Sequence, residues 1–205
     1  NQANRGLVRN LGVSYAQGEF LCFLDDDDRF LPQKLEMQVA YLEKHTDVDL
    51  VAGGLIRINE VGRVINQWPL WQGSPELSFE ACIEDGCHMQ FGAVLMRRSW
   101  FDHVGGISTE LPLVQDTDFF LRLLLAGCRM AWQREFVAQY RIHANNTETQ
   151  VITRARCRQR MITALLSRPE IPELVRTRSA CILRDYARDN AARCYAVGEA
   201  AAANE

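Results

Sequence analysis

The stretch Phe20-Leu21-Cys22-Phe23-Leu24-Asp25-Asp26-Asp27-Asp28 joins an apolar run directly to four consecutive carboxylates. The length and the Phe/Leu content of the run predict a strand over residues 19–24 that is buried on both faces, as in a parallel sheet covered by helices. The carboxyl ends of such strands are where open α/β sheets bind their ligands. The sequence therefore predicts an α/β fold with a ligand site at the acidic run.

Four adjacent carboxylates repel one another and need a counter-charge. Mg²⁺ or Mn²⁺ would supply it, since these ions prefer oxygen ligands and take substrate phosphates as further ligands. The alternative is a solvated loop in which one acid caps the helix that begins near Pro32. A calcium-binding EF-hand loop is excluded, because Arg29 would stand at its fifth position and Phe30 at the sixth, where the sharp turn needs glycine.

The bulk composition is that of a globular domain, with 205 residues of which 47% are hydrophobic and 24% charged. The net charge of −3 provides no basic field that would attract nucleic acid. No apolar stretch has the length of a transmembrane helix. The seven cysteines include no Cys-x-x-Cys pair, which favours a reducing cytoplasm over a disulfide framework.

Apolar spacing predicts which faces of the helices are buried. In the first helix, over residues 4–16, Leu7 and Leu11 share one side and are expected to pack inward. In the second, from Pro32 to about Lys44, the expected inward residues are Leu35, Val39 and Leu42.

A third amphipathic helix is predicted over residues 115–124, ending before Gly127. Asp116 and Asp118 lie at its N-terminus, where the helix dipole favours carboxylates, so the pattern leaves both capping and catalysis open. From about residue 149 onward the pattern is helical. Its alternating arginines are expected to spread round the helix and to be solvated; they are Arg154, Arg156, Arg158 and Arg160.

Several segments, taken in order, resemble the family 2 glycosyltransferases, an inverting family with the GT-A fold. Order and spacing agree over roughly residues 1–150. The resemblance implies a Rossmann-like mixed sheet flanked by helices over residues 1–148, followed by an α-helical extension over 149–205. The matching residues are Arg9-Asn10-x-Gly12, Ala16-x-Gly18-Glu19, Phe23-Leu24 with Asp25 to Asp28, Leu31-Pro32-x-x-Leu35-Glu36, Val104-Gly105-Gly106, Gln115-Asp116, Leu121-Arg122-Leu123, Gly127 and Tyr140-Arg141-x-His143.

Two departures from the family pattern stand out. The family's first strand and helix, which help to hold the nucleotide base, would precede Asn1, and the family's Glu-Asp pair is Gln115-Asp116 here. The beginning at Asn1 and the uncapped run Ala200–Ala203 both suggest cuts through a longer protein. We therefore expect weak or absent turnover from these 205 residues alone.

The resemblance implies a metal-dependent, inverting transfer of a sugar from a nucleotide-diphosphate sugar to an acceptor hydroxyl. An ion, Mg²⁺ or Mn²⁺, would stabilise the leaving diphosphate, and a carboxylate would deprotonate the acceptor. Trp68, Trp71, Met89 and Gln90 are candidates for the border of the acceptor site, with burial in the core as the alternative. The implied roles are metal ligation by Asp25, Asp27 and His143, contact with the ribose or sugar by Asp26, nucleotide binding by Arg9 and Asn10, phosphate binding by Arg141, and general base for Asp116.

The implied partners are a nucleotide-sugar donor and a carbohydrate, lipid-linked or protein acceptor, with no nucleic acid. Family members build surface polysaccharides and related glycans, so we expect a cytoplasmic location, with peripheral association at the inner face of a membrane. Two other functions stay open. One is a nucleotidyltransferase, which shares a nucleotide-binding sheet and an acidic metal site. The other is a non-catalytic sugar-nucleotide binding module. This alternative stays open because Gln115 stands where the family has Glu.

Overall fold

A computed structural model of the chain describes residues 4–73, 76–143, 150–196 and 198. The predicted helix through Ala200–Ala203 and the predicted boundary between residues 148 and 149 lie outside these ranges. Two 3₁₀ turns, Leu70–Gln72 and Phe91–Ala93, connect elements of the fold. The elements in the described part are α1 (Arg5–Tyr15), β1 (Phe20–Leu21), β2 (Arg29–Phe30), α2 (Lys34–Lys44), β3 (Leu50–Ile58), β4 (Val64–Trp68), α3 (Phe79–Asp85), β5 (Val94–Arg97), α4 (Arg98–His103), α5 (Gln115–Leu125), β6 (Met130–Arg141), α6 (Val151–Leu166) and α7 (Glu173–Ala196).

The strands form one mixed sheet in the order β1-β5-β3-β6-β2, and β4 also pairs with β3. The long strands β3 and β6 run parallel from Leu50 opposite Met130 to Ile58 opposite Arg141, and the register shifts on either side of Gly54. The other pairings are antiparallel. Helices flank this sheet, which confirms the prediction of a mixed α/β fold.

The predicted strand over residues 19–24 is correct in position but wrong in length and in its burial on both faces. Only Phe20 and Leu21 are in strand conformation, and in the described part of the chain their partner is β5. Leu24 is 49% exposed, so the run is not buried on both faces. The reason is that the chain leaves β5 after Leu21 to reach the acidic turn, which the hydrogen bond from Asp28 N–H to the carbonyl of Asp25 closes at 3.1 Å.

The predicted inner face of α1 is also wrong, since Leu7 and Leu11 are 59% and 56% exposed. Gly6 and Val13 are the buried residues instead. A Cβ atom at Gly6 would collide with the carbonyl oxygen of Ser108. The helix therefore packs on the side where the missing side chain permits a close backbone approach.

Helix α2 buries Leu42 as predicted but turns two polar residues inward, while Leu35 is 48% exposed. The ammonium of Lys34 donates to the carbonyl of Val94 at 3.0 Å and to the Gln38 side chain, whose amide donates to the carbonyl of Ala93 at 3.0 Å. Buried polar groups are tolerated when they are hydrogen-bonded in this way. Burial lowers the pKa of Lys34 to about 8.

The main hydrophobic core extends from the sheet into α6 and α7 through residues such as Cys157, Met161 and Val175. Two of the four arginines predicted to be solvated are partly buried, namely Arg154 and Arg158. Arg158 pairs with Asp189 of α7 at 2.7 Å because α7 packs along that side of α6. None of the helices that the structure describes is long and apolar enough to cross a membrane.

Candidate active site

The acidic turn is held against the end of β6. The backbone N–H of Arg141 donates to Oδ1 of Asp28 at 2.8 Å. Burial raises the pKa of Asp28 to about 7, and the neighbouring charges of Asp27 and Asp25 add to the shift. A carboxyl in this environment exists in both protonation states near neutral pH.

The two carboxylates of the predicted Asp-x-Asp pair have different partners. Oδ2 of Asp27 lies 2.8 Å from Nε2 of His143. Oδ1 of Asp25 instead accepts a hydrogen bond from Nη2 of Arg9 at 2.5 Å. Asp26 is exposed to solvent. The structure thus brings together two members of the predicted metal-ligand set and places the third against an arginine.

The residues present fit a divalent ion that relies on substrate for most of its ligands. Within the described ranges there is no group of three or more His, Cys, Asp or Glu side chains arranged to hold a metal. The Asp27 side chain is 36% exposed and the His143 side chain 25%, so both are partly accessible to solvent. Mg²⁺ is commonly held by one or two carboxylates together with substrate phosphates and water, which requires no complete protein cage.

Arg9 and Gln115 form the bridge between the acidic turn and α5. Nη1 of Arg9 donates to Oε1 of Gln115 at 3.3 Å, and the guanidinium stacks 4.7 Å from the ring centre of Phe91. Nε2 of Gln115 donates to the carbonyl of Leu111 at 2.8 Å. The amide therefore uses an acceptor and a donor at once, which a Glu carboxylate cannot do.

Asp116 begins α5 directly after an unusual backbone turn. Val114 has φ 58°, a left-handed conformation that is strained for a β-branched residue and that occurs most often at functional sites. Oδ1 of Asp116 accepts from the N–H of Thr117 at 2.8 Å. Burial raises the pKa of Asp116, while the Thr117 N–H and the charges of Arg154 and Arg9 oppose that shift.

The neighbouring Asp118 makes contacts that stabilise the fold. It is buried, and its Oδ2 pairs with Nε of Arg122 at 2.9 Å. Arg122 donates in turn to the carbonyls of Val104 and Gly106. Of the two acids at the start of α5, only Asp116 lines the cavity described next.

A single cavity collects these side chains from separate parts of the chain. Four of the predicted site residues line it, namely Arg9, Asp25, Asp116 and the acceptor-border candidate Gln90. A carboxylate suited to accept a proton thus lies in the same cavity as carboxylates of the acidic turn. The lining residues are Arg5, Arg9, Asp25, Asp28, Leu55, Gln90, Phe91, Gly92, Pro112, Leu113, Val114, Gln115, Asp116, Tyr140 and Arg154.

Two predicted nucleotide-binding residues instead support the surrounding loops. The side-chain amide of Asn10 donates to the carbonyl of Ile107 at 2.8 Å and accepts from its N–H at 2.9 Å. The guanidinium of Arg141 donates to the carbonyls of Asp27, Asn59 and Glu60. Its predicted contact with phosphate stays a prediction, and the contacts in the structure are those of a clamp on the acidic turn.

Sequence reasoning missed several lining residues, above all Phe91, Tyr140 and Arg154. Phe91 and Tyr140 lie in stretches whose sequence is typical of buried strands. No spacing rule distinguishes a residue that lines a cavity from one that is buried in the core. Among the four candidates for the acceptor border, Gln90 lines the cavity and Met89 is fully buried. Trp71 packs on Phe136, and Trp68 packs on Tyr140.

Comparison with known proteins gives consistent matches. A sequence model described as glycosyl transferase family 2 matches residues 1–105. An uncharacterized glycosyltransferase of Haemophilus influenzae is 30% identical over 128 residues, which cover 60% of this chain and 42% of that protein. The O-antigen biosynthesis glycosyltransferase WbnJ of Escherichia coli is 27% identical over 153 residues, covering 72% of this chain and 57% of WbnJ.

The fold also matches a solved structure. The crystal structure of S. aureus TarS 1-349 in complex with UDP-GlcNAc superposes with a TM-score of 0.66, covering 96% of this chain and 54% of that chain at 17% identity. This match confirms the predicted GT-A architecture. The chain spans about half the length of the curated relatives it matches.

Proposed function

The chain belongs to glycosyl transferase family 2, and on that basis we propose that it transfers a sugar from a nucleotide-diphosphate sugar to an acceptor hydroxyl, with inversion at the anomeric carbon. The observation that carries the proposal is the shared cavity. Asp116 at the start of α5 lines it together with Asp25 and Asp28 of the acidic turn. These groups match the two demands of the reaction, a base for the acceptor and a negatively charged turn that can bind a cation beside the diphosphate.

Asp116 acts as the general base in this proposal. Its carboxylate takes the proton of the acceptor hydroxyl as that oxygen attacks the anomeric carbon. The new carbon–oxygen bond forms on the face opposite the diphosphate, and the nucleoside diphosphate leaves with the electron pair of the broken bond. One displacement of this kind inverts the anomeric configuration, as in inverting glycosidases. Burial, which raises the pKa of Asp116, supports this role because it strengthens the base.

The acidic turn stabilises the leaving diphosphate in this proposal. Asp27 and His143 would hold Mg²⁺ or Mn²⁺, which when bound stabilises the growing charge on the diphosphate. Asp25, the third predicted ligand, is held by Arg9, and this ion pair sets the position of its carboxylate beside the cavity. Arg141 keeps the turn in place through the carbonyl of Asp27 and the carboxylate of Asp28.

The donor and the acceptor are proposed from the similar proteins. The complex of TarS with UDP-GlcNAc makes this sugar nucleotide the first donor to test. The relative named for O-antigen biosynthesis supports a carbohydrate acceptor, while a lipid-linked acceptor and a cytoplasmic location at the inner face of a membrane stay predictions.

The test follows the hydrolysis or transfer of UDP-GlcNAc by proton NMR in the presence of Mn²⁺, with water as the default acceptor. We expect release of UDP, and the released or transferred sugar should first appear with the inverted anomeric configuration. Asp116→Asn should lower the rate by about 10²-fold or more, while UDP binding by calorimetry is kept. Asp102→Asn, which alters an exposed acid of α4, is the control.

Three results would contradict the proposal. Full activity in Asp116→Asn would exclude this residue as the base. Release of pyrophosphate would indicate nucleotidyl transfer. Binding of UDP-GlcNAc without any turnover, with or without candidate acceptors, by a protein that also carries the family's first strand and helix would indicate a binding module.

A further inference from the structure

Helix α6 brings a cation into the cavity that the acidic turn and α5 form. Arg154 lies in the first turn of α6 and lines the same cavity as Asp116. The alternating arginines of this helix predicted a solvated side chain, but Arg154 is partly buried. A residue from the predicted helical extension thus takes part in the candidate active site.

The guanidinium of Arg154 has an unused donor. Its Nε atom is buried and has no hydrogen-bond partner among the residues that the structure describes. A buried N–H without a partner is costly, and an arginine that keeps one inside a binding cavity commonly meets an acceptor oxygen there. The interaction identified for this side chain in the cavity is its electrostatic attraction to Asp116.

The other titratable groups near Asp116 are already paired, exposed, protonated or, in the case of Asp28, protonated in part near neutral pH. Arg9 is paired with Asp25 at 2.5 Å and also bonds Gln115, so Asp25 offsets its charge. Arg5 lines the cavity but is exposed to solvent, which screens it. The remaining neighbours are Asp28, whose pKa is raised to about 7, and Cys87, whose pKa is raised well above that of an ordinary thiol, so that it stays protonated.

The position of Arg154 is fixed by the packing of α6. Arg158, one turn further on, pairs with Asp189 at 2.7 Å, and Asn190 donates to the carbonyl of Ala155 at 3.2 Å. Cys157 and Met161 are buried in the main core. The helix is therefore anchored directly C-terminal to Arg154, which keeps the guanidinium at the cavity.

We propose that Arg154 is a positioning residue for Asp116, whose carboxylate it keeps ionised and oriented for proton transfer. This inference rests on the proposed role of Asp116 as the base. It makes α6 a functional part of the transferase, since without a compensating cation the partly buried base would stay protonated, and inactive, up to a higher pH.

The test is the pH dependence of kcat/KM for release of UDP from UDP-GlcNAc, at saturating Mn²⁺ and between pH 5 and pH 9, by a protein that carries these 205 residues together with the family's first strand and helix. In Arg154→Gln the acidic limb should move to higher pH by about one unit, and the rate at high pH should approach that of the unaltered chain. Arg154→Lys, which restores the charge, should move the limb back. Arg160→Gln, an exposed arginine on the same helix, should leave the profile unchanged.

A second measurement needs no turnover. Carbon NMR of the Asp116 carboxyl, assigned by comparison with Asp116→Asn, should show a higher titration midpoint in Arg154→Gln than in the unaltered chain. An unchanged midpoint, or an equal loss of rate at every pH, would overturn the inference even if Asp116 is the base. Full activity of Asp116→Asn would overturn both this inference and the proposed base, which separates the two failures.

Discussion

Nε2 of His143 lies 2.8 Å from Oδ2 of Asp27, although 116 residues of sequence separate them. The contact joins the acidic turn to the segment just past β6, and it puts a carboxylate and an imidazole at one edge of the sheet. Since the other predicted ligand, Asp25, is bound by Arg9, Asp27 becomes the main candidate for contact with a cation.

Asp27→Asn should remove the effect of Mn²⁺ on UDP binding. We expect the affinity measured by calorimetry with Mn²⁺ to fall about tenfold or more, as is usual when a metal site is damaged, while the affinity without metal changes little. Asp47→Asn, an exposed acid between α2 and β3, is the control. A Mn²⁺-dependent affinity that survives in Asp27→Asn would show that this carboxylate is not a ligand.

Gln115→Glu, which restores the family's Glu, should destabilise the fold. The side chain is only 4% exposed, and Nε2 is the donor to the carbonyl of Leu111. A carboxylate at this position has no proton to donate to the Leu111 carbonyl, which should cost about 1–3 kcal/mol of folding free energy. The charge of Arg9 offsets part of that cost. Urea unfolding measures the change, with Gln33→Glu at the exposed start of α2 as the control. Equal or higher stability of Gln115→Glu would contradict the assigned hydrogen bond.

Lys34 should make stability rise with pH. Its pKa in the folded chain is about 8, below the ordinary 10.5 because of burial. Between these values the folded chain has lost a proton that the unfolded chain still holds, so unfolding takes up a proton and stability increases with pH. Relative to Lys34→Met, the free energy of unfolding of the unaltered chain should gain up to about 3 kcal/mol from pH 8 to 10.5.

The control for this prediction is Lys44→Met, which removes an exposed amine from the same helix. Its difference from the unaltered chain should vary much less over the same pH interval. A flat difference for Lys34→Met would mean that the Lys34 ammonium is not buried as described.

Two glycine-to-alanine substitutions should change the free energy of unfolding in opposite directions. A Cβ at Gly54 in β3 would lie 2.8 Å from Cζ3 of Trp71 and 2.9 Å from Cδ1 of Phe136, so Gly54→Ala should cost about 1–3 kcal/mol through overpacking. A Cβ at Gly12 in α1 meets nothing within 4 Å. Gly12→Ala should therefore stabilise by about 0.5–1 kcal/mol, because alanine favours the helix. Thermal unfolding of both variants checks the pair, and a neutral Gly54→Ala would contradict the tight packing.

The sequence predicted elements well where one local signal was sufficient. The helix that begins at Gln115 and stops before Gly127 follows from apolar spacing and from a glycine that has φ 88°. The family resemblance, carried by ordered short motifs, predicted the mixed sheet.

Predictions failed where burial depends on a distant partner. Leu7 and Leu11 satisfy helical periodicity, yet α1 packs through Gly6, because Ser108 lies there. Lys34 looks like a surface residue until the carbonyl of Val94 is placed beside it. Arg154 belongs to an alternating run whose members are locally equivalent, and only the position of α6 distinguishes it.

The parallel pairing of β3 with β6 has a consequence for the time at which the chain becomes functional. Residues 50–58 leave the ribosome long before residues 130–141, and at about 5–20 residues per second the delay lasts several seconds. Until then β3 lacks its longest neighbour, and the acidic turn lacks the N–H of Arg141 that holds it. Nascent chains should therefore acquire the arrangement of the acidic turn only late in synthesis.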